Sequence, residues 1–402
     1  MKTFLKNYHA LNCLIAYYFL ISGVSLNAQD YQAGNTYFDD NAYVEYLAGN
    51  LPLVISVPHG GYLFPDSIPN RNCEGCIYVR DDYTQEIGRA ISETIFEETG
   101  CYPHVVINLL HRRKFDANRD IIEAADGNIL VEQSWYAYHS FIQAGKDKIN
   151  NDYGPGLFVD IHGHSHSIQR IELGYGLWAS ELQLSDEALN TNTYINYSAI
   201  RSLVGDNLQG LKHAELLRGS LSMGSRLEDS EIPAIPSSQN PYPLPNESYY
   251  SGGYNTLRHG SMNGGSIDGI QVAINTSIRL YEDVRIDFSD SMAVILMDFL
   301  DTHYYEGFVG QYCSWISSVD EKEVDANDLL IYPNPNTGLI NINLGSLSNV
   351  SLKVLNVSGQ LIYYKENINT PIYQFELDAA PGIYILELSA AGEKQQFKLV
   401  KN

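Results

Sequence analysis

Positive charge is scarce in this chain. Against 48 Asp and Glu stand 25 Lys and Arg, a formal net charge of −23, which argues against nucleic acid and the anionic face of a membrane as partners. Long apolar runs are missing as well. None reaches the roughly 18–20 residues of a spanning helix, so the integral-membrane class is excluded. No HExxH segment occurs, and any metal site must therefore be assembled from separate segments. Cysteine is held to 5 of 402 residues. What remains is a chain with 44% hydrophobic content, long enough for two or three domains with real cores.

One short apolar stretch needs an account. Lys2 and Lys6 precede the run from Leu11 to Ile21, which fades into small residues ending at Asn27-Ala28. A positive start, an apolar middle and a small-residue exit read as a secretory signal peptide, residues 1–28, cleaved near Ala28. Cys13 falls inside it. Cys73, Cys76, Cys101 and Cys313 remain, an even count that suggests disulfides in an exported protein. Cys73-Glu74-Gly75-Cys76 also has zinc-knuckle spacing, but no second Cys pair follows. A tight-loop disulfide is expected, which leaves Cys101 and Cys313 as the other pair.

At the opposite end, residues 319–327 are charged, lack aromatic residues and show no helical period, so they read as a linker. Short alternating runs follow at 339–343, 351–355, 361–363, 373–377, 383–388 and 396–400. Gly, Asn, Ser and Pro breaks separate them, which is the pattern of a β-sandwich. Residues 328–402 are expected to form a small all-β domain. The segments Tyr332-Pro333-Asn334-Pro335-Asn336-Thr337-Gly338, Asn356-Val357-Ser358-Gly359-Gln360 and Pro381-Gly382-Ile383-Tyr384 resemble the C-terminal sorting domain of the type IX secretion system. That resemblance implies a partner, the type IX machinery, and export across the outer membrane of a Bacteroidota-type cell, to the surface or the medium.

Residues 29–318 change pattern. Continuous apolar runs at 51–57, 105–107, 157–161 and 270–274 read as buried strands. The stretch 82–98 places Ile87, Ala90, Ile91, Thr94 and Ile95 on one helical face, and 134–150 and 289–301 read as further helices. Strand and helix in alternation predict an α/β fold, an open, mostly parallel sheet flanked by helices. In such sheets ligands sit beyond the carboxyl ends of the strands. His59 and His162 fall at two of those ends, each followed by Gly. A zinc site wants one more N or O donor beside an open position. Asp82, at the start of the first helix, is the expected third ligand, with Asp81 able to exchange roles. His164 and His166 rank lower, because Gly163 is expected to end the strand.

Four basic side chains, Arg112, Arg113, Lys114 and Arg119, interrupt the acidic sequence. A guanidinium matches a carboxylate and steadies an oxyanion, whereas Asp116 and Asp120 offer it an internal salt-bridge hub instead. The proline-rich stretch 232–245 reads as a loop, a candidate cleft lid.

Val57-Pro58-His59-Gly60-Gly61, Asp82-Tyr83-Thr84, Asp116-Ala117-Asn118-Arg119 and Asp160-Ile161-His162-Gly163 together resemble the N-formylglutamate amidohydrolase family, related to zinc carboxypeptidases. The resemblance implies a zinc carboxypeptidase-like domain that binds one zinc ion (Zn2+) through His59, Asp82 and His162 and hydrolyses an amide bond. Asn118 and Arg119 would grip a substrate carboxylate, with Arg113 and His259 as further catalytic candidates. Relatives carry a Glu on a late strand as general base, where this chain has Ala273; Glu172 or Asp160 would have to replace it. The substrate expected outside a cell is an N-acyl amino acid, a peptide or a peptidoglycan stem. The rival readings are a secreted zinc carboxypeptidase, a catalytically impaired binding protein and an adhesin.

Overall fold

The computed structural model describes residues 31–307 and, toward the C-terminus, 330–332, 336–344, 347–356, 360–390 and 393–401. The expected signal peptide, the linker at 319–327 and Cys313 lie outside these residues. The chain divides into two compact units, 1–317 and 318–402.

The first unit is built on an eight-stranded sheet. Its strands are β1 (Thr36–Phe38), β2 (Val44–Leu47), β3 (Leu53–Val57), β4 (His104–Asn108), β5 (Gly156–His164), β6 (Ile171–Gly174), β7 (Ala234–Ile235) and β8 (Ile267–Asn275). Their order across the sheet is β1-β2-β4-β3-β5-β8-β6-β7. The central four, β4-β3-β5-β8, are parallel, while β6 joins β8 antiparallel. The sheet is therefore mostly parallel, as the alternation of runs predicts.

Both faces are covered, which is why the central strands carry apolar residues on both sides instead of alternating, and the polar residues they do carry are buried as well. All five residues of β3 and all nine of β8 are buried. Leu53, Ile55 and Val57 pack on one side with the helices Thr84–Thr99 and Glu282–His303. Ile87, Ile91 and Ile95 form the inward stripe of the first helix, each no more than 1% exposed. Burying one such side chain contributes about 1.5–3 kcal/mol. Val54, Val106 and Phe158 face the other way, onto the helix Ile129–Asp152, whose start is capped by the Asn128 side chain accepting from the Leu130 and Val131 amides.

β6 and β7 were not foreseen. Ala234 and Ile235 pair with Ile171 and Glu172 and are buried, so two residues of the expected lid loop instead close the sheet edge. Cys73 and Cys76 form the expected disulfide, and Cys101 is disulfide-bonded too.

The second unit has a three-stranded sheet, β13-β10-β9, and a four-stranded one, β12-β11-β14-β15. The strands are β9 (Leu330–Tyr332), β10 (Leu339–Asn343), β11 (Val350–Asn356), β12 (Leu361–Ile368), β13 (Ile372–Glu376), β14 (Gly382–Ala390) and β15 (Glu393–Lys401). All pairings are antiparallel. Ile340 and Ile342 of one sheet and Leu352, Val354, Leu386 and Leu399 of the other share one core, the packing that alternating runs require.

Candidate metal centre

On β5 the side chains of Phe158, Asp160, His162 and His164 share one face by the two-residue period. That is the side covered by Ile129–Asp152. His162 lies toward the carboxyl end of β5, and His59 stands just beyond β3 in the neighbouring turn. The turn can pass only because Gly61 has no side chain: a Cβ there would meet the Leu110 carbonyl oxygen at 2.1 Å.

Three ligand atoms converge at this point. His59 Nδ1 and His162 Nδ1 are 3.1 Å apart, and Asp81 Oδ2 lies 3.4 Å from each. Zinc bonds nitrogen and oxygen at about 2.0–2.2 Å, which puts the edge of a tetrahedral site at roughly 3.3–3.5 Å. The triangle has that size, and one vertex is left for water or substrate. The ring nitrogens turned away are also secured. His59 Nε2 is 2.6 Å from Asp116 Oδ1 and His162 Nε2 is 2.8 Å from Asp160 Oδ2, so each imidazole donates to a buried carboxylate from Nε2 and turns its Nδ1 toward the other ligand atoms. That is the usual outer arrangement of a histidine-ligated metal.

The surroundings hold these charges in place. Arg112 Nε donates to Asp116 Oδ2 at 2.9 Å, Arg71 Nη2 lies 3.6 Å from the same oxygen, and Arg112 Nη1 lies 3.6 Å from Asp81 Oδ1. Ser56 donates to Asp160, and the Gly163 amide donates to Asp81 Oδ2 at 2.9 Å. Burial alone would raise the Asp81 carboxyl, but His162, His59 and Arg112 hold it well below the usual range. Burial likewise opposes charge on His162, yet Asp160 and Asp81 outweigh it and push that imidazole up to about 9. The pocket thus favours a positive charge at its centre.

Several expectations are corrected. Asp82 is not in the triangle. Its carboxylate pairs with Arg80 at 2.6 Å and its side chain is 43% exposed. The adjacent carboxylates diverge ahead of the helix, and Asp81 is the residue turned inward. Gly163 does not end β5. His162, Gly163 and His164 pair in parallel register with Ala273, Ile274 and Asn275.

Asp160 is no free base, being fully buried behind His162 and bonded to it. His259 belongs to another pocket: its Nε2 is 2.9 Å from His139 Nδ1, its ring packs on Phe158, and burial, then His139, hold it well below its ordinary value. Arg113 lies over the Tyr78 ring on the exposed side of its turn, leaving Arg112 to face the site. Arg119 pairs with Glu123 at 2.9 Å. Asn118 is buried beneath His162, its Nδ2 3.3 Å from Nε2, while its Oδ1 accepts from the Asn255 amide.

Glu172 is fully buried on β6, directly across from Ala273. One oxygen lies 2.8 Å from His166 Nδ1 and the other accepts from the Tyr250 amide at 2.8 Å. His164 Nε2 donates to the Arg170 carbonyl. Sequence reasoning missed Asp116 as the partner of His59, because 57 residues separate them and no local period connects them. The link from Asp160 to His162 was readable from their two-residue spacing.

Comparison with known proteins bears mainly on the C-terminal unit. Residues 330–402 match the family model of the secretion system C-terminal sorting domain. No curated protein matches the chain. Among solved structures, an immunoglobulin-like β-sandwich protein of the DUF3244 family from Bacteroides vulgatus is 10% identical over 19% of this chain and 97% of its own, with TM-score 0.16. The gene product Atu2144 from Agrobacterium tumefaciens is 12% identical over 66% of this chain and 98% of its own, with TM-score 0.40. Among the described residues no helix is long and apolar enough to cross a membrane. The chain carries a type IX sorting domain at its C-terminus, which marks it for export to the cell surface or beyond.

Proposed function

We propose that residues 31–307 form a metal-dependent hydrolase domain that cleaves an amide bond outside the cell, zinc being the ion that the donor set fits best. The observation that carries this reading is the triangle of His59 Nδ1, His162 Nδ1 and Asp81 Oδ2, 3.1–3.4 Å on its edges, with each histidine backed by its own carboxylate. Two imidazole nitrogens and one carboxylate oxygen with an open fourth position are the donors of a catalytic zinc site. The ion would polarise the carbonyl and make water acidic.

The motifs resembling N-formylglutamate amidohydrolases supply the reaction class and the carboxylate-bearing substrate, an N-acyl amino acid or peptide. Arg119 is the residue assigned to that carboxylate. Its present partner is Glu123 of the helix Ile121–Ala125, which begins just past Arg119; the two side chains are 28% and 33% exposed, and such a pair is worth about 0.2–1 kcal/mol, so a substrate displaces Glu123 at little cost. Asn118 accepts from the Asn255 amide and so ties its own turn to the start of the helix Tyr254–His259. Ala273 favours one second reading, a binding protein that holds metal and ligand without turnover.

Metal analysis of the purified full chain, followed by chelation and zinc add-back in an assay against N-acyl amino acids and dipeptides, tests the proposal. One zinc per chain, with hydrolysis lost and restored, is the expected result. A chain that takes up no metal overturns it, and stoichiometric zinc without turnover selects the binding protein.

A further inference from the structure

We infer that His166 is the general base of the proposed hydrolysis and that Glu172 is its positioning residue; the inference rests on the hydrolase reading above. His166 Nδ1 lies 2.8 Å from Glu172 Oε1, and the second oxygen of that carboxylate is taken by the Tyr250 amide. An ionised carboxylate only accepts, so the hydrogen of the ring sits on Nδ1 and the Nε2 lone pair faces outward. No hydrogen bond to Nε2 occurs among the described residues. The arrangement is the carboxylate-imidazole half of a catalytic triad, in which the acid fixes tautomer and orientation and the ring moves the proton.

Placement and rigidity agree with the role. Glu172 is 0% exposed while the His166 side chain is 22% exposed, so the dyad is anchored at the acid and open at the base. The ring packs on Tyr250 at 4.7 Å, and the His166 amide donates to His164 Nδ1. Across β5, β8 and β6, His162, Ala273 and Glu172 are register partners and lie in one row on the same sheet face. At about 4.8 Å per strand, the dyad begins roughly 10 Å from the His162 backbone, with only a methyl group between. Burial, then the charge of Asp81, raise the Tyr250 phenol against Arg112, and Glu172 adds to this; that side chain therefore lies within electrostatic reach of both the metal triangle and the dyad.

The proton account closes without a further reactant. His166 Nε2 takes a proton from water as the water oxygen bonds to the amide carbon. The same proton passes to the leaving nitrogen as the C–N bond breaks, giving an acid and an amine. A metal ligand role for His166 is the competing use of these atoms, since His164, His166 and Glu172 gather ligand atoms within 4.8 Å of one another. His164, however, has Nδ1 engaged by the His166 amide and Nε2 by the Arg170 carbonyl, and His166 Nδ1 is engaged by Glu172.

The test uses the full chain and the variants His166→Ala, His166→Gln and Glu172→Gln, with zinc content, long-range 1H–15N spectra of the histidine rings and hydrolysis of N-acyl amino acids as readouts. Expected are one zinc per chain throughout and a His166 ring protonated at Nδ1 in the parent chain, altered by Glu172→Gln. His166→Ala should lower kcat about 10²–10⁴-fold at little-changed KM, with partial return on adding imidazole. The Gln variant stands in if the Ala variant melts early. A second zinc that disappears with His166→Ala, or a ring protonated at Nε2, overturns the inference. Unchanged kcat overturns the dyad alone and leaves the hydrolase reading standing, whereas a zinc-free, inactive parent chain overturns both.

Discussion

Glu172 and Ala273 are cross-strand partners on β6 and β8, both fully buried. The carboxylate expected on the late strand is thus supplied one strand further out, and the space it would fill holds a methyl group. On this account Ala273→Glu is no repair. It crowds a packed site, at about 1–3 kcal/mol, and adds a second carboxylate beside Glu172. The variant should melt earlier and hydrolyse no faster; a large rate gain in the assay would contradict this.

Neighbouring aspartates should behave differently. Asp81→Asn removes a donor from the triangle, whereas Asp82→Asn removes only a half-exposed partner of Arg80. Zinc titration against a competing chelator should show strongly weakened binding for the first and parent-like affinity for the second. Asp116→Asn acts through His59 and should weaken binding by about 10–100-fold.

Gly163 has no room for a side chain. Its amide serves Asp81, and a Cβ would stand 2.5 Å from the Arg279 guanidinium, which is itself held by the Ile274, His164 and Asp82 carbonyls. Gly163→Ala should therefore weaken zinc binding and lower the melting temperature together. Parent-like values in both measurements would show that β5 yields more easily than this packing implies.

Acid should work against the first unit through its buried histidines, while Asp268, whose carboxyl burial raises to about 7, acts in the opposite sense over the same range. Burial lowers His104 to about 3, and burial with Arg258 nearby lowers His139 to about 3. Both rings stay neutral in the fold, while the unfolded chain protonates them below about 6.5. The unfolded state then binds more protons, so stability is lost as pH falls from about 6.5 toward 3, by about 1.4 kcal/mol per pH unit for each ring. Urea unfolding across that range should show the slope, and His104→Gln should remove one ring's share. A flat profile would contradict the assignment.

Much of the frame was legible because continuous apolar runs have one economical use in an α/β sheet. β3, β4, β5 and β8 and the long helices followed from that, as did six strands of the C-terminal unit. β6 and β7 were not legible: Ile171–Gly174 and Ala234–Ile235 are too short to show a period, and their burial comes from partners far along the chain. At the site, His59 and His162 were visible from strand ends followed by glycine. The choice between Asp81 and Asp82 depended on which of two adjacent carboxylates the chain turns inward ahead of the helix, which residue type does not dictate. Gly163 misled for a physical reason, since ladder pairing with Ile274 holds it extended and Arg279 fills the space a side chain would need.

The most direct measurement is anomalous diffraction at the zinc absorption edge from crystals of the full chain grown with zinc. The account predicts one peak within about 2.0–2.2 Å of His59 Nδ1, His162 Nδ1 and Asp81 Oδ2, with Asp82 turned toward Arg80. No peak at that position, or a peak held instead by His164, His166 and Glu172, would contradict it.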